Sequence, residues 1–338
     1  MMARGYDLEL LESEEPEVGD FESMRVYRNP RLGYIRSVHR SAADRELDER
    51  EPEIVHSDER RPVLNTVEVP YRWICHLQLN FGPDPTSPGN DITGRGTGTL
   101  ISPRHVLTCG HNLYNDFPDI APNLVREVRS VRVTPGYNCA AQRAAPFGFA
   151  PAASWRYHSR WRSGMEMQFD YGLITLNSAI GARRQQALGN RPLGFWGSTE
   201  QGEGTRINPR APNELQGRRV NISGYPGDKC CYQQYIDLST GNPIRTCRSQ
   251  AWAGAQFRAS GTVTNASPAS APRLILYDAD TYGGHSGSPV WLLWGNFRNL
   301  IAIHTGPGRY VPGESPGISN RGVRITADVL RDVQSWMR

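Results

Sequence analysis

Two short apolar segments that meet at a turn and run into a glycine and a histidine occur in the sequence Gly96-Thr97-Gly98-Thr99-Leu100-Ile101-Ser102-Pro103-Arg104-His105-Val106-Leu107-Thr108-Cys109-Gly110-His111. The β-branched and apolar residues at Gly98–Ser102 and His105–Thr108 predict two strands. A histidine just beyond a buried strand is fixed in position but open on one side. Because the pKa of imidazole is near neutral, His111 is suited to act as a general base.

A second segment embeds an acidic residue in an apolar strand, in the order Phe169-Asp170-Tyr171-Gly172-Leu173-Ile174-Thr175-Leu176. A buried carboxylate is costly unless it is hydrogen-bonded, so Asp170 needs a partner. The Nδ1–H of a histidine would supply one. The alternative is a turn aspartate that accepts hydrogen bonds from nearby backbone amides.

A third segment surrounds a serine with glycines before an apolar strand, in the order Tyr282-Gly283-Gly284-His285-Ser286-Gly287-Ser288-Pro289-Val290. The glycines allow a tight turn that exposes the Ser286 hydroxyl. The same turn aims backbone N–H groups at one point, and those of Gly284 and Ser286 could bind an oxyanion. No lysine follows at the spacing of a phosphate-binding loop.

The three segments occur in the order His111, Asp170, Ser286, with separations of 59 and 116 residues. This is the chain order of serine proteases built from two barrels. The spacing predicts His111 and Asp170 on a first barrel, Ser286 on a second barrel and the site in the cleft between them.

The rest of the chain beyond residue 70 also consists of short apolar segments separated by turn residues. Besides the two strands above, it predicts strands at Trp73–Asn80, Ser130–Thr134, Tyr171–Leu176, Arg219–Gly224, Arg273–Tyr277, Ser288–Leu293 and Leu300–His304. Pro85–Asn90 and Gln201–Glu214 are typical of loops, and Thr326 is a candidate cap for one C-terminal helix. We therefore predict an all-β fold of two six-stranded antiparallel β-barrels followed by a helix.

Composition narrows the class of protein further. The 338 residues are 38% hydrophobic and 21% charged, which is typical of a folded chain rather than a disordered one. No apolar run approaches the roughly 18–20 residues that span a membrane. The first 60 residues hold sixteen acidic and nine basic residues, a net charge of −7, whereas the remainder carries +11. This acidic leader is either a solvated tail or a pro-segment that rests on a basic body.

Several further motifs resemble the glutamyl endopeptidase (V8-like) branch of the trypsin-like serine peptidases, which have the chymotrypsin-like fold. The resemblance covers about residue 54 to the C-terminus. It rests on the segments Ser57-Asp58-Glu59-Arg60, Thr134-Pro135-Gly136-Tyr137-Asn138, Ile222-Ser223-Gly224-Tyr225-Pro226-Gly227-Asp228-Lys229 and Gly322-Val323-Arg324-Ile325-Thr326. The Gly-Tyr-Pro-Gly-Asp-Lys run is the most specific of these.

The resemblance implies an endopeptidase made as a zymogen, with residues 1–53 as pro-segment, 54–195 as first barrel and 196–338 as second barrel plus helix. It implies that Ser286 attacks the peptide carbonyl, His111 removes its proton, and Asp170 orients the imidazole. Neither a cofactor nor a metal is expected. We expect protein or peptide substrates, no nucleic-acid or membrane partner, and a monomer.

Two signals bear on which bond is cut. His304 matches the histidine of the specificity pocket in the glutamyl branch, and Thr281 matches a hydroxyl there, which implies cleavage after Glu or Asp. Asp280, six residues before Ser286, has the spacing of the carboxylate that binds Arg or Lys in basic-specific trypsins. We expect Glu specificity, with Arg/Lys as the alternative, and maturation near Glu53–Ile54.

Three properties remain open at this point. Six cysteines, Cys75, Cys109, Cys139, Cys230, Cys231 and Cys247, permit up to three disulfides, most plausibly one that joins Cys230 or Cys231 to Cys247, or else remain buried thiols. Secretion is expected, although the first residues lack a signal peptide's apolar stretch. A function of another class is a catalytically silent protein that binds polyanions through its basic body.

Overall fold

The computed structural model describes residues 54–55, 57–139, 144–198, 204–229, 254–308 and 319–338, together with the backbone of 232–236 and 243–247. The proposed pro-segment, residues 1–53, lies outside the described residues, as do Cys230 and Cys231. Most described elements are strands, and they form two closed six-stranded antiparallel barrels followed by a helix. The predicted fold class is confirmed.

The first barrel closes in the ring order β1-β2-β3-β6-β5-β4, with β4 pairing back onto β1. Its strands are β1 (Ile74–Pro83), β2 (Asp91–Leu100), β3 (His105–Thr108), β4 (Ser130–Pro135), β5 (Ala150–Tyr157) and β6 (Gly172–Leu176). Every second residue of these strands points inward. The inward side chains form an apolar core that includes Leu77, Val106, Val133 and Ile174, all of them fully buried.

The second barrel closes in the ring order β8-β7-β10-β11-β12-β9, with β9 pairing back onto β8. Its strands are β7 (Arg219–Gly224), β8 (Phe257–Asn265), β9 (Leu274–Tyr277), β10 (Pro289–Trp294), β11 (Phe297–Pro307) and β12 (Asn320–Arg324). A separate apolar cluster fills it, with Val220, Ile222, Ile275 and Val290 at its centre. Two short strands extend this sheet: Arg61–Pro62 pairs with β8, and Thr205–Ile207 lies parallel to β11.

The C-terminal helix α1 (Ala327–Trp336) begins where the sequence predicts. The Thr326 side chain accepts a hydrogen bond from the Val329 backbone N–H at 3.2 Å and caps the first turn. The helix contacts the first barrel: the Tyr171 hydroxyl donates to Asp332 at 2.5 Å, and the Tyr171 ring stacks on Trp336. The last element of the chain therefore braces the residue next to Asp170.

The remaining elements are short and lie in the connections. They are the strands Tyr114–Asp116, Val125–Glu127, Arg184–Gln185, Arg191–Pro192, Tyr232–Ile236 and Pro243–Cys247, the helices Ser159–Gly164 and Pro212–Leu215, and the 3-10 turns Tyr71–Trp73, Gly110–Asn112, Met167–Phe169, Ile180–Ala182 and Gln186–Leu188. The described part of the predicted loop at Gln201–Glu214 holds a short strand and the start of a helix, so that prediction is wrong in part.

Two of the six cysteines do not form disulfides. Cys75 and Cys109 are buried free thiols, which leaves at most four cysteines for bridges. Within the described residues, no helix combines the length and the apolar character that a membrane span requires.

Candidate active site

The Asp170 carboxylate holds His111 by two hydrogen bonds. One oxygen accepts the backbone N–H of His111 at 2.8 Å, and the other lies 2.7 Å from Nδ1 of the ring. A carboxylate can only accept, so Nδ1 carries the proton and Nε2 is left for other chemistry. Both side chains are almost completely buried, which fixes the ring in one orientation.

This pairing follows from how the two segments end. β3 ends at Thr108, and His111 lies just beyond it in the 3-10 turn Gly110–Asn112. Gly110 is required here, because a Cβ atom would lie 2.8 Å from the Trp161 ring and 3.1 Å from an Asp170 oxygen. Asp170 precedes β6, which pairs with β3, so the sheet register brings the two segments together.

The charge of Asp170 changes the protonation of the histidine. Burial alone would lower the pKa of the His111 imidazole, but the Asp170 carboxylate, together with the Cys109 thiol, outweighs burial and raises this pKa well above its ordinary value. The site can therefore stabilise an imidazolium once His111 has taken a proton.

The turn that contains Ser286 is tied to the first barrel through its backbone. The Ser286 carbonyl accepts hydrogen bonds from the Thr97 backbone N–H at 2.9 Å and from the Asn112 side chain at 3.0 Å. Asn112 directly follows His111. The turn that contains Ser286, called the serine turn below, is therefore hydrogen-bonded to the turn that contains His111. Gly287, at φ +87°, allows this approach, because a Cβ atom there would lie 2.1 Å from the Thr97 carbonyl oxygen.

Two backbone amides of this turn are unused. Within the described residues, the N–H groups of Gly284 and Ser286 donate to no acceptor, whereas that of His285 donates to Tyr282 and that of Gly287 to His304. Gly284 has φ +102°, a conformation that other residues rarely adopt. Unsatisfied amides in a buried turn are uncommon, and they are the donors that an oxyanion needs.

The hydrogen bond from Ser286 to His111 is not formed. Among the described residues, the neighbour that hydrogen-bonds Nε2 of His111 is the Cys109 thiol, 3.4 Å away. Catalytic hydrogen bonds of this kind often tighten only when substrate binds. Cys109, His111 and Asp170 also bring three potential metal-ligand atoms within 4.8 Å of one another, but both Asp170 oxygens are already bonded to His111.

Asp280 binds the N-terminal part of the chain. Its two oxygens accept the backbone N–H groups of Val55 and Glu59, each at 2.8 Å, and the residue is 4% exposed. Burial raises the pKa of the Asp280 carboxyl, and the two amides partly offset that effect. Both oxygens of the Asp280 carboxylate therefore already accept hydrogen bonds from backbone amides.

His304 lies on β11 beside the serine turn and is fully buried. Its carbonyl accepts the Gly287 N–H at 2.9 Å, and its own N–H donates to the Ser288 carbonyl at 2.9 Å. Nδ1 of its ring lies 2.7 Å from the Tyr277 hydroxyl, which also reaches the Arg321 carbonyl at 3.1 Å. Thr281 is fully buried in the turn that leads to Ser286.

The contacts of Thr97, Cys109 and Asn112 with the site were not predicted from the sequence. The Thr97 hydroxyl donates to the Gly284 carbonyl at 2.8 Å and accepts the Tyr225 N–H at 3.1 Å. The Asn112 side chain donates to the Ser286 carbonyl, and the Cys109 thiol lies 3.4 Å from Nε2 of His111. Thr97 and Cys109 lie inside the segment Gly96–His111 and Asn112 follows it, but only the fold shows what their side chains touch.

Comparison with known proteins identifies the family. The family model for the trypsin-like peptidase domain matches residues 96–297, more than half of the chain. The chain is 29% identical over 289 residues to the glutamyl endopeptidase of Bacillus licheniformis, a match that covers 84% of this chain and 68% of the relative.

Two further relatives match over a similar length. The extracellular metalloprotease of Bacillus subtilis (strain 168) is 24% identical over 284 residues, which covers 84% of this chain and 69% of the relative. A solved structure of a Glu endopeptidase in complex with MPD superposes with a TM-score of 0.54 at 26% identity, over 84% of this chain and 99% of that one.

Proposed function

The chain belongs to the trypsin-like peptidase family and is a serine endopeptidase, and we propose that His111, Asp170 and Ser286 are its catalytic triad and that it cleaves peptide bonds after glutamate. The observation that carries the proposal is the doubly hydrogen-bonded Asp170–His111 pair beside a turn with two unused amides.

Each of these groups has a defined role in the proposed reaction. The Ser286 oxygen attacks the peptide carbonyl while Nε2 of His111 takes its proton, and Asp170 stabilises the imidazolium that forms. The amides of Gly284 and Ser286 bind the oxyanion of the tetrahedral intermediate. His111 then gives its proton to the leaving amine, and water hydrolyses the acyl-enzyme by the same steps.

Cleavage after glutamate is supported by the engagement of Asp280. A trypsin-like pocket needs a carboxylate free to bind a substrate cation, but both Asp280 oxygens already accept backbone amides. His304, which contacts the serine turn through its backbone, is the candidate donor to a substrate carboxylate, with Thr281 beside that turn. The relative from Bacillus licheniformis is named for the same specificity.

Digestion of a peptide library tests this specificity. The library presents Glu, Asp, Arg and Lys at the residue that becomes the new C-terminus, and the active protein is compared with Asp280→Asn and His304→Asn. We expect cuts after Glu that survive Asp280→Asn and lose their preference in His304→Asn. Cuts after Arg or Lys that disappear in Asp280→Asn would establish the alternative.

We also propose that the enzyme is made as a zymogen. Residues 1–53 are the acidic pro-segment, 54–195 the first unit and 196–338 the second, with maturation near Glu53–Ile54. The contact of Asp280 with Val55 and Glu59 supports this, since it anchors the chain just after the proposed cut. Mass spectrometry of the mature N-terminus tests it, and a terminus that follows Arg50, Arg60 or Arg61 would contradict self-cleavage after Glu.

The setting of the enzyme is a further part of the proposal. Its substrates are peptides or proteins, and we propose that it is secreted, acts as a monomer, and binds neither nucleic acid nor membranes. A disulfide that joins Cys230 or Cys231 to Cys247 stays a prediction, because those side chains lie outside the described residues. Mass mapping under non-reducing conditions tests the bridge.

A further inference from the structure

The segments Ser57–Arg60 and Ile222–Lys229, which no catalytic step uses, are joined by the buried side chain of Arg60. Arg60 is 1% exposed and lies between the carboxylates of Asp58 and Asp228. Its Nη1 donates to Asp228 at 2.7 Å and its Nη2 also pairs with that carboxylate. Nε and Nη2 donate to Asp58 at 2.9 and 2.7 Å. Lys229 adds a contact to Asp58 at 2.9 Å. We call Asp58, Arg60, Asp228 and Lys229 the N-terminal clasp.

The clasp is a fully engaged ionic group rather than a surface pair. Burial alone would lower the pKa of the Arg60 guanidinium, but Asp228 and Asp58 outweigh burial and raise it. Burial would likewise raise the pKa of Asp58, and the bonds from Arg60 and Lys229 hold it well below its usual range. Arg60 is the buried member and pairs with both carboxylates, so it joins the segment around Asp58 to the segment around Asp228.

One end of the clasp leads to the serine turn. Next to Asp228, the Gly227 N–H donates to the Gly283 carbonyl at 2.7 Å. The Gly283 carbonyl and the Gly284 N–H belong to the same trans peptide and point in opposite directions. Holding that carbonyl towards Gly227 therefore aims the Gly284 N–H away from it, as an oxyanion donor requires.

The same segment forms the wall behind Gly284. A Cβ atom on Gly284 would lie 2.4 Å from the Tyr225 carbonyl oxygen and 3.2 Å from the Gly227 nitrogen. The Arg60 guanidinium also lies 5.6 Å from the centre of the Tyr282 ring, at the start of the serine turn. The residue before the nucleophile is His285 rather than an acid, and the Arg60–Asp228 ion pair lies beside this turn.

We propose that Arg60 is a positioning residue for the oxyanion hole. The clasp fixes Gly227, Gly227 fixes the Gly283–Gly284 peptide, and that peptide presents the Gly284 amide to the substrate. The inference rests on the proposed function, because it takes the Gly284 amide as an oxyanion donor. In this proposal, residues 57–60, which follow the proposed maturation site, help to set the geometry of the oxyanion hole.

The kinetic test compares Arg60→Gln and Arg60→Lys with a matched control, Arg210→Gln. Arg210 is a partly buried arginine that pairs with Glu214 away from the serine turn. The readouts are kcat and KM on a Glu anilide substrate and the affinities of a peptide aldehyde and the matching peptide acid. Only the aldehyde forms a tetrahedral adduct that uses the hole.

We expect Arg60→Gln to lower kcat and aldehyde affinity about 100-fold, with KM and acid affinity changed less than about threefold. Arg60→Lys restores part of the loss, and Arg210→Gln leaves all four values near those of the parent protein. An unchanged kcat in Arg60→Gln, or an equal loss of aldehyde and acid affinity, would overturn the proposal. If Arg60→Gln does not fold, Asp228→Asn is measured in the same way.

A crystal structure of Arg60→Gln separates this proposal from the proposed function. We expect the Gly283 carbonyl to leave the Gly227 amide in the variant, whether or not the protein cleaves peptides. If that hydrogen bond persists, the proposal fails even when the protease is active. If the parent protein does not cleave Glu peptides at all, the proposed function fails and the structural comparison still decides the role of Arg60.

Discussion

The Thr97 hydroxyl lies 2.8 Å from the Gly284 carbonyl oxygen and donates to it. Thr97 belongs to β2 of the first barrel, whereas Gly284 belongs to the serine turn of the second. The same hydroxyl accepts the Tyr225 N–H, and the Thr97 backbone N–H donates to the Ser286 carbonyl. Thr97 therefore joins both the serine turn and the segment at Tyr225 to the barrel that carries His111.

The variant Thr97→Val tests this tie. It keeps the shape of the side chain but removes the hydroxyl, which leaves the Gly284 carbonyl and the Tyr225 amide without a partner. We expect kcat to fall about tenfold, or about 1.4 kcal/mol, with KM nearly unchanged. Thr97→Ser keeps the hydroxyl and serves as the control. Equal kinetics for Thr97→Val and Thr97→Ser would show that the hydroxyl does not position the turn.

The variant Asp170→Asn tests the orientation of the histidine. An amide is nearly the same size as the carboxylate, but its NH₂ group cannot accept from Nδ1, and it stabilises no imidazolium. We expect kcat to fall about 10³- to 10⁴-fold while the unfolding temperature changes little. The measurement is kcat with a parallel thermal unfolding curve, and a loss below about tenfold would remove Asp170 from the triad.

The raised pKa of His111 predicts the pH dependence of the reaction. Because only the neutral imidazole can take the serine proton, kcat/KM should rise with pH and reach its plateau above the ordinary histidine pKa of 6.5. Asp170 contributes most to raising this pKa, ahead of Cys109, so its replacement by Asn should move the rise in kcat/KM to lower pH. A profile that is flat from pH 5 to 8 in the parent protein would contradict the assignment of His111 as base.

The Cys109 thiol provides a test of which group is the nucleophile. It lies 3.4 Å from Nε2 of His111, but burial raises the pKa of the thiol and keeps it protonated. We expect Cys109→Ala to retain activity within about threefold, because Nε2 becomes available to Ser286. Iodoacetamide should leave the native enzyme active. Loss of activity in Cys109→Ala, with normal folding, would point instead to a thiol mechanism.

Several barrel strands were predicted because β-branched or apolar residues recur in them between turn residues. The strands His105–Thr108 and Arg219–Gly224 have the predicted bounds, and the helix capped by Thr326 begins as expected. Three barrel strands were missed: Ala150–Tyr157, Phe257–Asn265 and Asn320–Arg324. Their alanines, glycines and polar residues carry little strand propensity, and they are strands because neighbouring strands pair with them on both sides.

In the candidate site, too, local sequence patterns predicted some residues, whereas contacts between distant residues were not predicted. His111, Asp170 and Ser286 stand in local contexts that the sequence displays directly. The partnership of Arg60 with Asp228 joins residues 168 positions apart, and that of Thr97 with Gly284 joins residues 187 apart. Such pairs depend on how two barrels pack, which no local pattern records. Asp280 was ambiguous for the same reason, since its partners Val55 and Glu59 lie more than 200 residues away.

Covalent labelling of the active protein with a fluorophosphonate, followed by peptide mass spectrometry, tests most directly whether Ser286 is the nucleophile that His111 activates. We predict one label per molecule, on Ser286, with loss of activity in proportion to labelling, and neither label nor peptide cleavage in Ser286→Ala. A label on a different residue, or a Ser286→Ala protein that still cleaves peptides at the parent rate, would contradict the account.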